Sequence, residues 1–221
     1  FAEAAAAAGA GESSADPAWL ASWLDADAVA ADALGAWFDG LDEPFEGDVA
    51  RVCADALPAD TLVVAGNSMP IRDLDTFSGR PRGDIAVLSN RGANGIDGLL
   101  SAAAGASASD GRPVVVLAGD ISALYDATAL GAIGRFDLPV TIVVVNTAGG
   151  GIFHFRPQAA QLPADRFETL VGTPHGQSLA AIANAFGIEA MTVDTEEELR
   201  SAVGDEGGPI LLELRTDREE N

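Results

Sequence analysis

The chain has no lysine. All 12 of its basic residues are arginine, set against 34 acids, and the formal net charge is −22 over 221 residues. So acidic a surface argues against nucleic acid or anionic membrane as a partner, because both require a basic face. It fits solubility in a very salty cytoplasm, where screening removes self-repulsion, and equally the acidity of an ordinary protein from a GC-rich genome. The missing lysine favours the halophilic reading. Cysteine occurs once, so no disulfide can form within the chain. Cys53 sits in an apolar helical pattern and reads as a small core residue. No apolar run approaches the ~20 residues of a membrane span. The alanine-rich start, Ala4 to Ala8, lacks the basic flank of a signal peptide. A cytoplasmic protein is expected. Neither histidine, His154 or His175, has a serine or cysteine partner at a meaningful spacing. Also missing are a Gly-x-Gly-x-x-Gly fingerprint and a Walker lysine, which speaks against dinucleotide and nucleoside triphosphate sites.

What is present is a rhythm. Residues 1–15 are low in complexity and read as a linker or frayed helix. Asp16-Pro17 is an N-cap and N1 pair, followed by Trp19, Leu20, Trp23 and Leu24 at helical spacing. A second helix is expected over 48–57. We read 1–59 as the linker and helical tail of a preceding region, and 60–221 as one domain. From Thr61 onward, short β-branched runs alternate with helical segments. The runs are Thr61–Ala65, Ile85–Ser89, Pro113–Ala118, Val140–Val145, Glu189–Val193 and Ile210–Arg215. Helices are expected near 68–76, 95–107, 122–134, 178–186 and 195–203. Six apolar strands separated by helices predict an α/β fold, a doubly wound, mostly parallel six-stranded sheet with helices on both faces. Ligands of such sheets sit beyond the C-terminal strand ends.

Four consecutive strand ends carry glycine or polar punctuation: Gly66-Asn67-Ser68, Asn90-Arg91-Gly92, Gly119-Asp120 and Asn146-Thr147. Asp120 can offer a carboxylate to Mg²⁺, Asn146 or Thr147 a side-chain oxygen, and Gly149 a backbone carbonyl. The amides of Ile121 and Ser122, opening a helix, would face phosphates. Read blandly, Gly-Asp caps a helix and Asn-Thr makes a turn. Ile96 stands in the glycine-spaced loop Asn90–Gly98 and is either a wedge against a cofactor ring or a core side chain at a helix start. Arg72 and Arg91 are the arginines nearest the ligand edge. They suit carboxylates through their forked donors, or pair with some of the many acids. His154 reads as structural, and His175 as a pocket candidate in a Gly/Pro loop.

Taken in order, Asn67–Asp73, Asn90–Gly98, Gly119–Asp126 and Asn146–Phe153 resemble a specific family of thiamin diphosphate enzymes. It is the 2-succinyl-5-enolpyruvyl-6-hydroxy-3-cyclohexene-1-carboxylate synthases of menaquinone biosynthesis. The Thr173–Gly176 stretch is also similar, and the match covers about 60–215, the C-terminal, diphosphate-binding domain. The resemblance implies thiamin diphosphate and Mg²⁺ (or Mn²⁺) as cofactors. Asp120, Thr147 and the Gly149 carbonyl would hold the metal. Gly119, Asp120, Ile121, Ser122, Asn146, Gly149 and Gly150 would hold the diphosphate, with Ile96 and Phe153 against the rest of the cofactor. Ser68, Arg72 and Arg91 would grip substrate carboxylates. The family decarboxylates 2-oxoglutarate and adds the succinyl carbanion equivalent to isochorismate.

Two residues depart from the family pattern. Thr147 replaces a second asparagine common in members, and Arg156 stands where an apolar residue is usual. The family's activating glutamate belongs to an N-terminal domain that nothing in residues 1–59 resembles. No catalytic residue is therefore expected in this chain, which alone should supply half a site and no turnover. Family members associate at least as dimers, so a homo-oligomer, dimer or tetramer, is expected of the full-length protein. Another decarboxylating thiamin enzyme of the acetolactate-synthase type, and a non-catalytic phosphate-binding module, stand as alternatives.

Overall fold

The computed structural model describes residues 16–41, 45–79, 82–90, 92–204 and 208–218. By contact the chain divides into two units, Phe1–Leu41 and Asp42–Asn221. In the first, helix α1 spans Pro17–Phe38. Its start follows from local chemistry: the Asp16 carboxylate accepts the Ala18 N–H at 2.9 Å, and Pro17 occupies a position whose N–H would have no partner. Trp19 and Trp23, about one turn apart, meet edge to face with ring centroids 6.2 Å apart.

Helix α2, Glu46–Ala56, falls in the second unit. The division therefore lies upstream of the expected 59/60 boundary. The reason is packing: Val49, Val52 and Cys53 on α2 belong to the core beneath the sheet. Burial pushes the Cys53 thiol up to about 12, which makes it an inert core group.

The sheet of the second unit contains β1 (Leu62–Ala65), β2 (Ala86–Ser89), β3 (Val114–Gly119), β4 (Val140–Asn146), β5 (Glu189–Val193) and β6 (Ile210–Arg215). Their spatial order is β2-β1-β3-β4-β6-β5, and every pairing is parallel. The central strands β3 and β4 are buried on both faces, which is why their sequences are unbroken apolar runs rather than alternating ones. One face carries α4 (Leu99–Asp110), α6 (Ala129–Arg135) and α9 (Leu179–Ala185). The other carries α2, α3 (Met69–Phe77) and α10 (Glu196–Val203). The doubly wound architecture is as expected.

One expected helix, 122–134, is two: α5 (Asp120–Tyr125) and α6. Between them Asp126 turns its buried carboxylate onto Ser101, accepting the backbone N–H at 2.7 Å and the hydroxyl at 2.9 Å. That interaction caps the first turn of α4 and ties the two connections together. The segment after β4 was not foreseen. It holds a 3₁₀ turn at Gly151–Phe155, α7 (Pro157–Gln161), α8 (Ala164–Phe167) and a π-type turn at Glu168–Gly172. Among the described residues no helix is long and apolar enough to cross a membrane.

The chain leaves β1 toward one edge of the sheet and β3 toward the other. Their C-terminal ends therefore flank a switch point, where a crevice opens without any special side chain.

Candidate functional site

A cleft of about 540 Å³ lies over that switch point. The loops after β1, β2, β3 and β4 all reach it. It is lined by Ser68 and Arg72 from the first, Gly95 and Ile96 from the second, Gly119 to Ser122 from the third, and Thr147 with Gly149 to Phe153 from the fourth. Segments far apart in sequence thus supply one wall. Arg91 lies outside the described residues.

The loop after β4 is shaped by close backbone approach. Gly149 has φ +147°, and a Cβ built there would stand 2.1 Å from the Gly172 carbonyl oxygen, so only glycine fits. The Gly150 N–H donates to that same carbonyl at 2.7 Å. At the end of β3, a Cβ on Gly119 would meet nothing within 4 Å, leaving this backbone open.

Three oxygen donors meet at the junction of β3 and β4. Asp120, 3% exposed, accepts the Gly149 N–H on Oδ2 at 2.8 Å. The Thr147 hydroxyl donates to the Gly149 carbonyl at 3.0 Å. One carboxylate, one hydroxyl and one backbone carbonyl form a hard, oxygen-only set that leaves other positions to phosphate oxygens. That is the donor chemistry Mg²⁺ or Mn²⁺ takes, so the residues present fit the implied metal. The Ile121 N–H, expected to face phosphate, is turned onto Asp120 Oδ1 at 2.6 Å.

Asn146 takes a different place from the expected one. It is 6% exposed and lies behind the cleft wall, not on it. Its Nδ2 donates to Glu213 Oε1 at 2.6 Å, and its Oδ1 accepts the Ala148 N–H at 2.9 Å. It holds the loop rather than facing a diphosphate.

His175, at the end of the Gly/Pro loop, reaches Asp120. Its Nδ1 accepts the Gln177 N–H at 3.0 Å, which leaves the ring hydrogen on Nε2 to donate to Asp120 Oδ2 at 3.0 Å. His154 packs edge-on against Phe167 at 4.9 Å and serves the fold.

On the β1 side, Asn67 Nδ2 donates to the carbonyls of Asn90 and Gly95, each at 2.7 Å, and so stitches two loops together. Ser68 stands at φ +74°, ψ −128°, a conformation a side chain disfavours. Its carbonyl accepts from the Arg72 guanidinium. Asn94 Oδ1 accepts the Ile96 and Asp97 amides at 2.8 and 3.2 Å. This turn presents Ile96, 40% exposed, to the cleft instead of the core. Phe153 is 44% exposed and also lines the cleft, from the loop after β4.

Two acids in the wall had no assigned role. Burial pushes the Glu46 carboxyl up to about 7, with the charge of Asp73 adding to it and a Thr216 hydrogen bond opposing. Burial likewise raises Asp73 to about 6, against the pull of Arg72. Glu46 opens α2 and Asp73 lies on α3, and both line the cleft. Sequence offered no signal for Glu46, because α2 reaches the site only through tertiary packing.

Comparisons with known proteins bear on the family of the chain. The 2-succinyl-5-enolpyruvyl-6-hydroxy-3-cyclohexene-1-carboxylate synthase of Myxococcus xanthus (strain DK1622) is 45% identical over 210 residues, covering 92% of this chain and 35% of that protein. The protein of the same name from Halorubrum lacusprofundi is 36% identical over 229 residues, covering 92% of this chain and 36% of its own. The chain thus spans about a third of the length of these relatives. A crystal structure of benzoylformate decarboxylase from Polynucleobacter necessarius shares the fold, with TM-score 0.64 and 21% identity, covering 78% of this chain and 33% of that one. A family model described as "Thiamine pyrophosphate enzyme, C-terminal TPP binding domain" matches residues 82–214, more than half of the chain. By this match the chain belongs to the C-terminal TPP-binding domains of the thiamine pyrophosphate enzymes.

Proposed function

We propose that this chain supplies the diphosphate- and metal-binding half of a 2-succinyl-5-enolpyruvyl-6-hydroxy-3-cyclohexene-1-carboxylate synthase. The whole protein would decarboxylate 2-oxoglutarate and add the resulting succinyl unit to isochorismate. The observation that carries this reading is the meeting, in one cleft, of an oxygen-donor cluster with a Ser68–Arg72 loop suited to carboxylates. Relatives bearing that name match across 92% of the chain.

Each residue then has a task. Asp120, the Thr147 hydroxyl and the Gly149 carbonyl would hold Mg²⁺ or Mn²⁺. Gly119, Gly150 and the Ser122 amide would border the diphosphate. Thiamin diphosphate, when bound, supplies the stabilisation of negative charge at carbon that decarboxylation requires. Ile96 and Phe153 give it apolar surface and keep water from the reacting face, which strengthens every charge interaction inside. Ser68, Arg72 and Arg91 would bind carboxylates, and the arginine fork matches the two oxygens of each. The activating glutamate would come from another domain, in a dimer or tetramer, so the isolated chain would be inactive. A cytoplasmic location in concentrated salt completes the proposal, supported by the charge of −22 and the absence of lysine.

The test is an assay of the full-length protein with a panel of 2-oxo acids. Turnover of 2-oxoglutarate with isochorismate is expected, and preference for pyruvate would point to an acetolactate-synthase type instead. Asp120→Ala in that protein should abolish metal-dependent cofactor binding, and unchanged affinity would remove the site assignment. Robust product from this chain alone would refute the divided site.

A further inference from the structure

We propose that Glu213 is a positioning residue for the metal-binding loop, acting through Asn146. Glu213 lies within β6 and is 0% exposed, the most deeply buried acid among the described residues. Its partner in register is Val144, so Asn146, two residues on, projects from the adjacent strand on the same face.

A carboxylate so buried is costly unless donors surround it. Oε1 accepts from Asn146 Nδ2 at 2.6 Å and from Arg215 Nε at 3.4 Å. Oε2 accepts from the Ala180 N–H at 2.9 Å and the Ser178 hydroxyl at 3.2 Å. Every partner donates, so a protonated carboxyl would turn its O–H toward donors, and the ionised form is the one this set accommodates. Burial opposes the charge, but these donors outweigh it and hold the carboxyl below its ordinary value.

The consequence for Asn146 is orientation. Facing a carboxylate, its amide must turn the NH₂ inward, where a second hydrogen reaches the Gln177 carbonyl at 3.4 Å. The oxygen is left pointing at the Ala148 N–H. Ala148 has φ +57°, which a side chain disfavours, and this bond closes the turn that contains it. The next residue, Gly149, offers its N–H to Asp120 and its carbonyl to the Thr147 hydroxyl. A chain of hydrogen bonds therefore runs from Glu213 to the three oxygen donors without touching a ligand.

The proposal rests on the metal reading above, and the experiment separates the two. Mn²⁺ binding to the full-length protein is measured by electron paramagnetic resonance with thiamin diphosphate present. Alongside it, the unfolding midpoint is measured without metal. Absence of Mn²⁺ binding by the unaltered protein would remove the metal reading itself. Glu213→Gln places an NH₂ among donors, and Asn146→Asp sets two carboxylates together. Each should raise the Mn²⁺ dissociation constant about tenfold or more, the range expected for loss of a supporting group. The exchange variant, Asn146→Asp with Glu213→Gln, restores a donor–acceptor pair and should recover affinity to within about threefold of the starting protein. Folded single variants with unchanged Mn²⁺ affinity overturn the proposal. So does an exchange variant that folds without recovering affinity, because a purely structural role would move only the metal-free midpoint. Should the single variants not fold, Ser178→Ala carries the test. It removes one donor from Glu213, and unchanged Mn²⁺ affinity there also overturns the proposal.

Discussion

Thr147 is the residue on which the proposed metal site would depend most narrowly, because its hydroxyl braces the carbonyl of Gly149, whose own N–H is held by Asp120. Thr147→Val keeps the shape and deletes that oxygen. Mn²⁺ affinity of the full-length protein should fall about tenfold or more, by direct titration. Glu46 and Asp73 give a pH dependence whose sign is fixed. In the unfolded chain they ionise near 4.5 and 3.8, whereas in the folded chain they keep their protons to about 7 and about 6. Between those values unfolding releases protons, so stability falls as pH rises from about 4 to 7 and then levels off. Denaturant titrations of metal-free protein across that range should show the decline, and Glu46→Gln should flatten its upper part. Cleft-lining residues were legible where they sat in motifs after strands, as Asp120, Thr147 and Ser68 did. Glu213 was not, because it acts on Asn146, distant in sequence, and Asn67, though it stood in such a motif, gave no sign that it would tie the Asn90 and Gly95 loop to its own.

At the scale of elements, the loop after β4 is held by close contact rather than by regular structure. Gly149→Ala would drive a methyl group into the Gly172 carbonyl. A loss of about 3 kcal/mol or more is expected in denaturant unfolding, in the range of severe backbone and packing conflicts. Ser68 offers the opposite case. Ser68→Gly relieves a disfavoured backbone angle but loosens the loop, so little or no net stability should be lost, and under the proposed function the KM of the full-length protein for 2-oxoglutarate should rise. The strands were readable because buried parallel strands must be continuously apolar. The break between α5 and α6 was not, since Asp126 leaves the helix for a partner on α4 that no local pattern announces. The short helical turns between Gly151 and Gly172 escaped for a similar reason: residues 151–172 alternate between short apolar, glycine and proline punctuation and carry no single period.

For the whole molecule the dominant quantity is the net charge of −22. At ~0.1 M salt the Debye length is about 10 Å, and near 1 M it shrinks to about 3 Å. Like charges across the surface therefore repel one another in dilute buffer and hardly at all in concentrated salt. The unfolding midpoint should rise steadily between ~0.1 M and ~2 M KCl, and a midpoint that stays level or falls would count against adaptation to salt. The sheet register has a consequence of another kind. β1 stops at Ala65 opposite Leu117, while β3 runs on to Gly119 and β4 to Asn146. At about 3.3 Å per residue, the edge between β1 and β3 drops by about 6.6 Å. The rim of the sheet is thus a step, its upper tread bearing the Asp120 carboxylate and its lower one the Arg72 guanidinium. A ligand long enough to span both treads meets an incline and not a level shelf, with opposite charges at its two heights.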